Sequence, residues 1–306
     1  MRSVALALTA LVAIGAAEGA TTVDDGHDLF DWSSLAPVVV AGTSLGEDGR
    51  HFEFRVTRSL RGGIAPDDVL KIDVREANGT RDRMLYPKPL RLDAGVDYVL
   101  LLEPREADGS KRYRLVRGVT GARELPLEGR EAYLEALGEC TAIQDGKSEE
   151  LKWQRLARLL GATNALAVQT AIGQFLKFRR GSPELLLALL PLLDHPQPEL
   201  RADAAQLIGQ IETRRRERGI PDDEDETVRT ELIARATRDP AVAVRVAATE
   251  ALAAYPLEQV DRVLVEIAES DPEQQVRYTA QLVRLGLRRE NGPESRAATA
   301  PEPRVD

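Results

Sequence analysis

Cysteine is almost missing from this chain. Of 306 residues only Cys140 is a cysteine, and three are histidines. One thiol cannot close an internal disulfide or build a Cys-rich zinc site. The neighbours of Cys140, GECTAIQDG, include no histidine to take its proton, so it is not read as a nucleophile. His27, His51 and His195 share no short metal-binding spacing and are read as exposed or structural. Aromatic residues make up 4% of the chain, so the core must rest on Leu, Val and Ala, and Ala and Leu favour helix. Cations are in deficit: the net charge is −9, which speaks against a general nucleic-acid binder. No glycine-rich phosphate loop is present, no metal site is assigned and no cofactor is called for.

Long apolar runs are scarce as well. The one that stands out is N-terminal: MRSVALALTALVAIGAA places one cation, Arg2, before about 14 uncharged residues, Val4 to Ala17, with small residues after them. This is the layout of a cleaved signal peptide over 1–19; the alternative is an uncleaved membrane anchor, for which the run is shorter than the roughly 20 residues a spanning helix needs. The expectation is an exported protein, periplasmic or secreted, with no stable membrane span after cleavage. Export without a disulfide fits a bacterial envelope.

What is there divides into two halves with different periods. Residues 35–125 read as β. In HFEFRVTR (51–58), Phe52, Phe54 and Val56 alternate with polar residues, and in VLKIDVR (69–75) Leu70, Ile72 and Val74 do so, as half-buried strands should. PVVVAG (37–42) and YVLLLE (98–103) are continuous apolar runs and read as central strands, and RYRLVRG (112–118) closes a set of five. Leu85-Tyr86-Pro87-Lys88-Pro89 falls in a long loop between strands. Tyr86 and Lys88 are candidate binding residues there, the alternative being a lid over the barrel.

From about Gly129 the period becomes helical. Linking helices are expected over 130–160 and a repeat domain over 161–289. HPQPELRADAAQL (195–207), DPAVAVRVAATEAL (239–252) and DPEQQVRYTAQL (271–282) share one frame: a polar residue, Pro, an aliphatic-Arg pair, then Ala three residues past the Arg. Arg245 and Arg277 are 32 residues apart, and Arg201 and Arg245 are 44 apart, the excess matching a charged insertion near RRRERGIPDDED (214–225). Asp239 and Asp271 suit a helix cap, and Pro240 and Pro272 suit the first helical position. Second helices are expected between the frames, in PELLLALLPLLD, TVRTELIARATRD and LEQVDRVLVEIAESD. A fainter copy of the frame falls around LAVQTAIGQF (166–175). Helix pairs at this period make an α-solenoid. Arg201, Arg245 and Arg277 are candidate binding residues if they form a ligand-facing row. In such repeats they are more commonly an internal ladder tying each unit to the next. The tail 290–306 is polar and Pro-rich and is expected to be disordered.

Two resemblances follow from these residues. The frame D-P-x-x-x-[LV]-R-x-x-A resembles HEAT repeats of the short bacterial kind. The order VVVAGT, FEFRVTRSLRGG, VLKIDV, LDAGVDYVLLLE, YRLVRGVTG resembles the exported β domains of the netrin/TIMP-like group, with an OB-like barrel. Protease inhibition by that group's eukaryotic members rests on cysteines this chain lacks, so it does not carry over. The fold expected is multidomain, all-β plus all-α: a small five-stranded OB-like barrel, then a short HEAT-like solenoid. The function expected is that of a non-enzymatic scaffold binding an unidentified protein partner. The rivals are a cell-envelope enzyme or enzyme-regulating module with its site in the groove between the halves, and a small-ligand carrier using a cavity inside the strands.

Overall fold

The computed structural model describes residues 29–47, 51–73, 91–105, 111–116, 121–219 and 226–290. The signal segment, Val74, Tyr86, Lys88 and the C-terminal tail from 291 lie outside the described residues.

Alternation of side chains builds the barrel. β1 (Val38–Glu47) and β2 (His51–Arg61) form an antiparallel hairpin, and β3 (Val69–Asp73) pairs antiparallel with β2. β4 (Asp97–Pro104) returns to the free edge of β1, matching Val38 with Leu102 and Thr43 with Asp97. β5 (Arg112–Leu115) joins β3 in parallel at Lys71–Arg112 and Ile72–Tyr113, and pairs antiparallel with β4. The order β1-β2-β3-β5-β4-β1 therefore closes, which removes exposed sheet edges. This is the five-stranded OB-like barrel expected. A sixth strand, β6 (Ala122–Glu124), extends β4's edge beyond β5 and is too short to announce itself in sequence.

Inside, Val38, Val40, Phe52, Phe54, Val56, Leu70, Ile72, Leu100 and Leu102 fill the barrel, each at most 6% exposed. The two continuous apolar runs have a structural cause. Val39 and Ala41 on β1, and Val99 and Leu101 on β4, point out of the barrel and join a second core with helical residues. Both faces of these strands are buried, so alternation is lost. The helices covering them are α1 (Leu29–Ser33), which precedes the barrel, and α2 (Arg130–Gln144), which follows it. Arg61, at the end of β2, locks the junction. Its guanidinium donates to the carbonyls of Ser33 (2.8 Å), Ala36 (3.0 Å) and Thr141 (3.1 Å) and to Gln144 Oε1 (2.8 Å).

The rest is helical: α3 (Glu149–Leu159), α4 (Ala165–Lys177), a short α5 (Leu186–Leu189), α6 (Pro198–Glu217), α7 (Glu226–Arg238), α8 (Val242–Ala251), α9 (Leu257–Ser270) and α10 (Gln274–Glu290). α4, α6, α8 and α10 pack one against the next as a row, and each also packs against the helical segment before it. The fainter copy at 166–175 is thus a genuine member of the row, with Val168 buried where Leu200, Val244 and Val276 are buried. Two expectations change. PELLLALLPLLD is not one helix: Pro191, without an amide proton, leaves α5 only four residues long between 3₁₀ turns at Pro183–Leu185 and Leu190–Asp194. Pro240 and Pro272 do not start their helices, which begin two residues later at Val242 and Gln274. Only Pro198 occupies the first turn, in α6. Close packing in the row depends on small residues. A Cβ on Gly209 of α6 would stand 2.7 Å from the Cα of Ala251 in α8, so only glycine allows that approach.

Candidate functional site

The repeated arginines form a ladder. Arg201 on α6 donates from Nε and Nη2 to the two carboxylate oxygens of Asp239, each at 2.8 Å, and from Nη1 to the carbonyls of His195 and Pro196. Arg245 on α8 repeats the geometry one unit on. It donates to Asp271 at 2.8 and 3.2 Å and to the carbonyls of Asp239 and Pro240. Each aspartate also accepts the amide two residues ahead, Ala241 at 2.9 Å and Glu273 at 2.8 Å. One carboxylate therefore shapes its own helix start and receives the arginine of the preceding unit.

The ladder is dry. Arg201 and Arg245 are 9% and 8% exposed, and Asp239 and Asp271 are 4% and 8% exposed. Such pairs survive burial only because nearly every polar atom is matched. Burial alone would raise the carboxyl of Asp239. The hydrogen bonds from Arg201 and the Ala241 amide, with the charges of Arg201 and Arg235, outweigh it and hold the group below its ordinary value. Arg277 is the open rung. Its Nη1 donates to the carbonyls of Asp271 (2.6 Å) and Pro272 (2.9 Å), and its other edge meets no carboxylate among the described residues. Of the candidate residues, then, Arg201 and Arg245 are engaged within the row and Arg277 stands at its end. Tyr86 and Lys88 lie outside the described residues.

Other groups with chemical potential are placed as follows. Cys140 is fully buried on α2, and burial, helped by Glu139, pushes its thiol up to about 12. His195 takes the aspartate's place in the first frame, its Nδ1 accepting the Gln197 amide at 3.2 Å. Gly42-Thr43-Ser44-Leu45-Gly46 has the Gly-x-Ser-x-Gly spacing of a nucleophile elbow. Here it runs as part of strand β1, and Ser44 is fully buried with its hydroxyl donating to the Leu92 carbonyl at 2.9 Å. Among the described residues no cluster of His, Cys, Asp and Glu has the makings of a metal site, and no helix is long and apolar enough to cross a membrane.

Among the described residues, three depressions bear on the site. One, of about 550 Å³, lies at the junction of barrel and helices, lined by Phe30, Arg61, Asp145, Glu149 and Lys152. Its charges are engaged with one another or with neighbours: Arg61 with Asp145 at 2.8 Å, Lys152 with Glu149 at 3.6 Å, and Glu149 accepting from Trp153 Nε1 at 2.8 Å. A small apolar recess of about 290 Å³ between α8 and α10 contains Glu250, whose carboxyl burial pushes up. The largest of the three, a groove of about 810 Å³, is lined by Trp153, Phe175, Arg179, Arg180, Arg214 and Arg218. These arginines carry no repeat signature: Arg179 and Arg180 follow α4, and Arg214 and Arg218 end α6, about 35 residues on. The run RRRERG is visible in the sequence, but its meeting with Arg179 and Arg180 is not.

Comparison with known proteins bears on the repeat half. The family model for HEAT repeats matches residues 188–283, the span of the arginine ladder and its helices. No curated protein and no solved structure matches the chain. A closed β-barrel followed by a HEAT-like helical segment is the architecture of this protein.

Proposed function

We propose that this chain is an exported binding protein that works as a scaffold, recognising another protein through its HEAT-like helical surface without turning over a substrate. HEAT repeats are protein-interaction modules, and the match over 188–283 supports that class of work here. The observation that carries the reading is the dry ladder. The frame's polar groups are spent on one another, Arg201 with Asp239 and Arg245 with Asp271, so the units stack as a stiff row. A stiff row presents preformed surface, which lowers the ordering cost of binding. The barrel is anchored to α2 through Arg61 and to the helical row through a shared apolar core, and so offers a second contact surface at a fixed position. Export rests on the N-terminal segment 1–19 alone.

Three measurements test the reading. Affinity capture from envelope extracts, with the purified mature chain as bait, should return one partner repeatedly and in defined stoichiometry. A purified chain that hydrolysed simple ester, peptide or glycoside substrates at a useful rate would overturn the non-enzymatic claim. For localisation, deletion of residues 1–19 should leave the protein in the cytoplasmic fraction, and continued export would refute the signal assignment.

A further inference from the structure

We infer that the groove lined by Trp153, Phe175, Arg179, Arg180, Arg214 and Arg218 binds an acidic peptide segment bearing an apolar side chain, a carboxylate-rich stretch of the protein partner. This rests on the protein-binding reading above and names where and by what chemistry that partner is held.

The first support is charge without a counter-charge. In a chain of net charge −9, four arginines converge on one groove, and none of them forms an ion pair among the described residues. Their neighbours in sequence behave differently. Arg215 pairs with Glu212, and Arg216 donates to the Ala253 carbonyl. The same run thus divides into arginines that hold the fold and arginines that face the groove. The groove members repel one another: burial, then the charges of Arg179 and Arg218, push the Arg214 guanidinium below its ordinary value, against the weaker pull of Glu217. Among the described residues that line the groove, Glu150 is the one acidic side chain beside four arginines. Helix C-termini favour cations, and that accounts for one or two arginines at the end of α6. It does not account for four left facing each other.

The second support is backbone conformation. α4 ends in a Schellman motif, with the Arg180 amide donating to the Phe175 carbonyl and the Arg179 amide to that of Leu176. Arg179 holds the left-handed position, φ +48°, where glycine is the cheap residue. A long cation is kept at a position where the fold prefers glycine, and it lines the groove. Among the described residues its guanidinium makes no hydrogen bond or ion pair.

The third support is the aromatic floor. Arg180 lies 4.8 Å above the Trp153 ring, and Trp153 stacks at a tilt against Phe175 with centroids 5.3 Å apart. A guanidinium held over an aromatic keeps its donor edge free for a carboxylate, and beside it the partly exposed Ala157 and Leu185 line the groove with apolar surface. A bare small anion leaves that surface unused. A nucleic acid is disfavoured by the chain's overall negative charge. A peptide with acidic residues next to a leucine or aromatic residue uses both.

The test uses the full mature chain and a fluorescein-labelled peptide of six glutamates followed by two leucines, with a six-lysine peptide as control. Binding is followed by anisotropy and by tryptophan emission, with Trp32→Phe as the background so that Trp153 alone emits. The glutamate peptide should bind, weaken with added salt and change the tryptophan emission, while the lysine peptide should not bind. The decisive variant is Arg179→Gly. It should raise the melting temperature by about 2 °C, because glycine relieves the left-handed backbone, and lower affinity for the peptide at least tenfold. Arg214→Gln with Arg218→Gln should lower affinity similarly. Equal binding by wild type and R179G, or no binding by wild type, would overturn the inference. Saturation by inorganic phosphate with full displacement of the peptide would replace it with a small-anion site. If R179G loses the peptide's site yet captures the same partner from extracts as wild type, the groove assignment fails while the scaffold reading stands.

Discussion

Arg245→Ala is the sharpest test of how the helical row is held together. The side chain makes two bonds to Asp271, at 2.8 and 3.2 Å, and two to the carbonyls of Asp239 and Pro240, at 2.9 and 3.4 Å. Truncation leaves the Asp271 carboxylate, whose side chain is 5% exposed, without its cation. Removing one partner of a buried pair costs about 3–5 kcal/mol, because the remaining charge stays desolvated. Asp271→Ala strands the guanidinium instead and should cost a similar amount. The double variant should cost less than the sum of the two, with a coupling of roughly 2 kcal/mol or more. Arg277→Ala is the internal control, since among the described residues that arginine has only its two carbonyl bonds and no carboxylate. It should cost about 1 kcal/mol. The assay is urea unfolding followed by far-UV circular dichroism, extrapolated linearly to zero denaturant. If Arg245→Ala and Arg277→Ala were equally mild, or if the two single costs simply added, the ladder would not be what joins the units.

Four more outcomes follow from individual residues. Gly209→Val should destabilise by about 1–3 kcal/mol, because its Cβ would meet the α8 backbone at 2.7 Å and the row cannot open locally; an unchanged urea midpoint would contradict the close approach. Glu250→Gln should raise the melting temperature at pH 7. The Glu250 carboxyl is pushed up by burial, so wild type loses stability as pH rises from the unfolded carboxylate value, about 4.3, through the folded one, and the variant should lack that slope. Asp239 titrates with the opposite sign: its folded value is depressed, so its stabilisation is complete above about pH 4 and disappears as pH falls further, an acid limb that Asp239→Asn should remove. Cys140, held up to about 12 in the core, should resist a thiol reagent in the folded protein and react fully in denaturant, and rapid native labelling would show that the α2 packing opens.

Much of the fold was legible because the signals are local. Phe52, Phe54 and Val56 alternate and face the barrel core, and the five expected strands are present. The aliphatic-Arg frame marks α6, α8 and α10, and its arginine has the ladder role that such repeats suggest. The errors have local causes too. Pro191 broke a segment whose leucines read as one helix, and the Asp-Pro steps at 239 and 271 turn the chain before helix geometry begins. α1 and β6 are too short to carry a period.

The amino-acid order by itself determined which positions are apolar, where the period changes from two to about 3.6, and that an arginine and an aspartate recur in step. Those are properties of neighbours along the chain. Only the tertiary structure decided what covers each apolar face: that β4 closes onto β1, that Val39 and Leu101 look outward into helices, and that Arg201 reaches Asp239 across 38 residues. It also brought Arg179 and Arg180 beside Arg214 and Arg218 around Trp153. A periodic pattern states that a surface must be buried or a charge answered. Which distant group does so depends on the angles at which whole elements pack, and no short stretch of sequence encodes those.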